Sequence, residues 1–202
     1  MRCSGAALGN DTAAFDCAIM TDPAFLALLH HARAERWCMD PYCTTCEPAE
    51  FRVALATFAG EDRSRLATAL ATMDLADWFD VHNPDGAIRM SFGALGSLEL
   101  VNVVLEAWLP RLGDQIRIAD MVLNRIVRPR REALPVAEPW IDAAAELAVR
   151  VEDPVLLEHL IFTLREDFVR RPDLVATARR LRKGAPALHR ALQRLKSVPP
   201  SA

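Results

Sequence analysis

Residues 153–196 read DPVLLEHLIFTLREDFVRRPDLVATARRLRKGAPALHRALQRLK. Three prolines, Pro154, Pro172 and Pro186, each stand at the head of a run with apolar residues at helical spacing. Proline fits the first turn of a helix, where its missing N–H has no intrahelical acceptor, and breaks a helix interior. The stretch therefore predicts helices over 154–170, 172–183 and 186–197, each started by its proline.

The same reading extends towards the N-terminus. Asp22 and Pro23 mark the cap and first turn of a helix to about Arg36, striped by Phe25, Leu26, Leu28 and Leu29. Glu47-Pro48 opens a second helix, with Phe51, Val53, Leu55 and Phe58 as its apolar content and Gly60 at its end. Glu61-Asp62 opens a third, carrying Leu66, Leu70, Met73, Leu75 and Trp78. Val81 to Gly86 has turn chemistry, and 88–96 is expected as a short irregular stretch. Ser97 caps a helix to Leu109, Gly113-Asp114 starts one that ends before Pro129, and a further helix covers 139–151. No segment alternates with period two, so strands are not expected.

The fold class is all-α. Helix pairs recur every 30–40 residues, which suits either an irregular bundle or a short solenoid-like stack. The expected division is an N-terminal arm at 1–20, a helical region at 21–128, a Pro-rich connection at 129–139 and a basic helical region at 140–202. The alternative is one continuous domain over 21–198.

Composition supports this reading. Of 202 residues, 51% are hydrophobic and 25% charged, the balance of a globular chain, and aromatics at 6% are sparse. Arginine far outnumbers lysine, a pattern expected of a GC-rich bacterial source. No apolar run reaches the roughly 18 residues a membrane helix needs. Met1 to Met20 carries Asn10, Asp11 and Asp16 and lacks the apolar core of a secretory signal. A cytoplasmic location is therefore expected, with five cysteines kept for metal or as thiols rather than disulfides.

The densest chemistry lies in Cys38-x4-Cys43-x2-Cys46. Thiolates this close in sequence can converge on one soft or borderline metal ion. Cys43 and Cys46 form a two-ligand knuckle, and Cys38 adds a third sulfur. His31, near the end of its helix, is the expected fourth ligand. His30 faces about 100° away from it on the helix. His30, Cys17, Cys3 and His82 carry donor atoms of the same kinds and stay open for the fourth position. A closed set of four ligands makes the site structural, a zinc staple between the first two helices. An iron–sulfur cluster is the alternative cofactor for the same cysteines, since this spacing occurs in one ferredoxin class. No cysteine follows Cys46, and the glycine-rich context of that class is absent.

Charge is unevenly spread: residues 1–124 carry −8 and residues 125–202 carry +5. The basic tract concentrates in Arg179, Arg180, Arg182 and Lys183, which could neutralise phosphates. Phe168 is the only aromatic among residues 165–196, so the stacking platform of a single-strand binder is missing. Asp74, Asp77 and Asp80 are read as a solvated acidic face, and His159 and His189 belong to no metal-ligand or catalytic motif. Nothing in the chain names a reaction, and an enzyme is not expected. The sequence predicts a zinc-binding helical scaffold, adaptor or regulator acting through protein contacts. Two rival readings are an iron–sulfur redox or sensor protein and a nucleic-acid-binding regulator.

Overall fold

In a computed structural model that describes residues 22–39, 49–80 and 83–196, every regular element is a helix. Ten α-helices follow one another among these residues: α1 (Pro23–Ala34), α2 (Ala49–Ala59), α3 (Ser64–Thr72), α4 (Pro84–Leu95), α5 (Leu98–Trp108), α6 (Ile116–Val122), α7 (Ala137–Val151), α8 (Pro154–Leu164), α9 (Pro172–Leu181) and α10 (Pro186–Lys196). Tighter 3-10 stretches cover Leu75–Asp80, Arg128–Ala133 and Arg165–Arg170, and a π turn covers Leu123–Val127. Among the described residues, no helix is long and apolar enough to cross a membrane.

The caps read from sequence form as hydrogen bonds. Asp22 accepts from the backbone N–H groups of Ala24 and Phe25, and Asp153 from that of Leu156. Ser97 accepts from Leu100 N–H in the same way. Each satisfies a donor that the first turn of a helix leaves without a carbonyl.

Three expectations need correction. First, Asn83-Pro84 is not a loop but the cap and first residue of α4, with Asn83 accepting from Gly86 N–H, so 84–95 is regular helix. Asn followed by Pro is a cap signature as well as a turn signature, and the capping role prevails. Second, the helix expected through Trp78 breaks after Thr72. Met73 is extended, and the Asp74 carboxylate caps the following 3-10 stretch through Ala76 N–H. Third, α8 stops at Leu164 rather than running to 170, because Arg165 takes φ 51 and ψ −119. Residues 129–139 pack against the apolar core. They bury Leu134 and Val136 and lead into α7, which starts at Ala137.

One buried apolar cluster runs from Phe25 to Ala191. Two tryptophans bolt it together in the same way. Trp108 on α5 donates its indole N–H to Leu70 O on α3 at 2.6 Å, and Trp140 on α7 donates to Leu105 O on α5 at 2.9 Å. Both rings are fully buried, so each bond also removes the cost of an unpartnered indole N–H. Arg111 closes the end of α3. Its guanidinium donates to Met73 O at 3.0 Å and to Ala71 O, and its Nε to Ala107 O at 3.0 Å. These carbonyls lie at or beside helix ends, where acceptors lack intrahelical partners. Burial pushes the Arg111 pKa down, and the nearby Asp74 charge opposes that shift.

Candidate functional site

The cysteine segment begins where α1 ends. Arg36 takes a left-handed conformation at φ 53. Arg36 N–H donates to Arg33 O at 3.1 Å and Trp37 N–H to Ala32 O at 2.9 Å. This is the paired bonding of a Schellman helix end, built here on arginine where glycine is usual. The reversal carries Trp37 back over the helix. Its ring meets the His31 ring edge-on, with centroids 5.0 Å apart and planes at 81°. Cys38 follows directly and is half-buried, while His31 and His30 are both exposed.

Met39 comes next and is buried at 1% exposure. Its carbonyl lies against the first turn of α4, so close that a Cβ placed on Gly86 would sit 1.8 Å from the Met39 oxygen. The start of the cysteine run is therefore held between α1 and α4. Cys43, Cys46, Cys3, Cys17 and His82 lie outside the described residues. Among the described residues, no three His, Cys, Asp or Glu side chains are grouped to hold a metal. Of the expected ligands, His31 and Cys38 are placed on one helix end, joined through Trp37.

The basic tract is exposed as expected. Arg179, Arg180, Arg182 and Lys183 lie on the last turn of α9 and just beyond it. Cations there are favoured by the negative end of the helix dipole. Part of the positive charge is met within the fold. Arg180 pairs with Glu152 at 3.0 Å, Arg171 with Asp142 at 2.6 Å and Arg150 with Asp114 at 2.6 Å.

A groove of about 1290 Å³ is also present. One wall is the stretch Arg128–Ala133, another the end of α8 with Arg165–Asp167, and the third Ala191, Arg194 and Leu195 of α10. Arg131 ties two walls together. It bonds Glu138 at 2.7 Å and donates to Thr163 O at 3.0 Å. The hydrogen bond from Arg131 to Glu138 raises the arginine pKa, outweighing the effect of its burial. The Thr163 hydroxyl donates to His159 O at 2.8 Å, and His159 Nδ1 bonds the Asp120 carboxylate of α6. A continuous polar string thus links the groove to α6.

Sequence reasoning missed this groove and the His159–Asp120 pair. Arg128, Arg165 and Arg194 come from three elements far apart in the chain, so no local pattern marks them. His159 and Asp120 are likewise 39 residues apart. Comparison with protein-family models, curated proteins and solved structures finds no match to this chain.

Proposed function

We propose that the protein is a helical scaffold or adaptor that acts through protein contacts, with its N-terminal helices stapled by a structural zinc ion. Cys38, Cys43, Cys46 and His31 are the ligands. The observation that supports this most is the reversal at Arg36, which sets Cys38 on the residue next to the Trp37 ring that packs on His31. A histidine and a thiol are thereby brought to one helix end, ahead of the Cys43-x2-Cys46 knuckle. Four such ligands close a tetrahedral shell, leaving no open position for a substrate. The ion would fasten the segment between α1 and α2, which already pack on one another.

The scaffold reading draws on the helix pairings. α3 packs on α5, α7 on α9 and α8 on α10, while consecutive helices such as α2 and α3 or α7 and α8 also pack, so each helix meets partners one and two places along the chain, an arrangement compatible with a short helical stack. Such stacks present extended surfaces to partners. Elemental analysis of the natively purified chain tests the metal. About one zinc per chain is expected, falling to background in the Cys43→Ser/Cys46→Ser variant. Iron with acid-labile sulfide in place of zinc would replace this reading with the iron–sulfur one, and no stoichiometric metal would overturn both.

A further inference from the structure

We infer that the groove between Arg128–Ala133, the end of α8 and α10 docks an acidic amphipathic peptide segment of a partner protein. This rests on the protein-contact part of the reading above and not on the metal.

Three properties of the groove point to such an occupant. Its size exceeds the roughly 300–1,000 Å³ of small-molecule sites and suits a short run of chain. Its lining includes the half-buried apolar side chains Phe162 and Leu195 as seats for apolar anchors. Its charge is positive but mixed, with five arginines against Glu132, Glu166 and Asp167. Arg128 and Arg165 make no ion pair or side-chain hydrogen bond among the described residues, and Arg130 reaches only the carbonyls of Arg125 and Ile126, at 3.5 and 3.4 Å. Their charge is open to carboxylates from outside.

Exposed Glu132 favours a peptide over a nucleic acid. A phosphodiester strand lays down uniform negative charge and would run past Glu132, where like charges repel, while Asp167 is already met by Arg170 at 3.0 Å. A peptide can place its carboxylates at the arginines and apolar or basic side chains beside the acids. An amphipathic segment seated by apolar anchors at i, i+3/4 and i+7 is a recurrent docking mode.

Arg165 adds a specific handle. Its φ 51, ψ −119 is the conformation of the first central residue of a type II′ turn, which favours glycine. Arg165→Gly relieves that strain while removing the side chain from the groove, so lost binding cannot be ascribed to lost folding.

The test is a fluorescence-anisotropy titration of the full chain with a labelled peptide of roughly fourteen residues. The peptide carries leucines at the anchor positions and Asp/Glu between them. A second peptide has Asn/Gln in place of the acids, and a third probe is oligothymidine. The acidic peptide is expected to bind with a Kd in the micromolar range, to weaken about tenfold in Arg165→Gly and in Arg128→Gln, and to weaken further as salt rises. Equal binding of the uncharged peptide, unchanged binding in both variants, or no binding would overturn the assignment. Oligothymidine binding that the acidic peptide fails to displace and both variants weaken would give the groove to nucleic acid instead. A photo-crosslinker at position 128 and another at the exposed Val53 separate this proposal from the broader reading. Protein adducts at Val53 alone overturn the groove and leave the scaffold standing; adducts at neither overturn both.

Discussion

The indole N–H of Trp140 donates to the backbone carbonyl of Leu105, repeating one layer further along the chain the bond from Trp108 to Leu70. The two donor–acceptor separations, 35 and 38 residues, match the recurrence of the helix pairs. The device does not extend to the third buried tryptophan. Trp78 is fully buried, and its Nε1 has no hydrogen-bond partner among the described residues. Trp140→Phe should therefore cost about 2–3 kcal/mol, from a lost hydrogen bond and lost packing volume. Trp78→Phe should cost about 1–2 kcal/mol less, because it also removes an unsatisfied buried donor. Urea unfolding midpoints of the two variants compare them directly, and equal losses would refute the distinction.

Arg111 holds the end of α3 through a fork that reaches three carbonyls. Arg111→Ala should destabilise the chain by about 2–3 kcal/mol, since several helix-end acceptors lose a charged donor. Arg111→Lys should recover less than half of that, because one ammonium cannot span the same acceptors. Full recovery with lysine, read by thermal unfolding, would show that charge and not geometry is what matters there.

Gly86 has no room for a side chain beside Met39 O. Gly86→Ala should destabilise by about 1–3 kcal/mol through overpacking, despite the better helix propensity of alanine. It should also raise hydrogen exchange at Met39, because the stretch of backbone pressed against α4 must move. A stabilised Gly86→Ala protein would mean that this approach is looser than described.

Arg36 occupies a position where glycine is ordinarily found. Arg36→Gly should stabilise the chain by about 1 kcal/mol, since the Cβ penalty of the left-handed conformation is removed. A shift to a lower unfolding temperature would argue against the reversal that brings Trp37 onto His31.

The all-helical class was legible because helix starts are written locally. Asp22-Pro23, Asp153-Pro154 and Ser97 each combine a capping acceptor with an apolar stripe, and no tertiary information is needed to read them. Errors came where one local signal has two meanings. Asn83-Pro84 suits a turn or a cap, and only the packing of Gly86 against Met39 decides. The early end of α8 was illegible for a similar reason, since nothing in Leu164-Arg165-Glu166 announces a positive φ at arginine. The groove is a purely tertiary feature, assembled from arginines on separate elements. The cysteine spacing was visible at once. What the fold adds is the placement of His31 and Cys38 at a single helix end, which spacing alone does not determine.

That placement is most directly tested by cobalt(II) titration of the metal-stripped chain under reducing conditions, followed by visible absorbance. The account predicts saturation near one equivalent, with the intense d–d bands of tetrahedral cobalt and the ultraviolet charge transfer of several thiolates. His31→Ala should shift and weaken the d–d bands while keeping the thiolate absorption, whereas His30→Ala should leave both unchanged. A weak octahedral spectrum, or a His31→Ala spectrum identical to the native one, would contradict it.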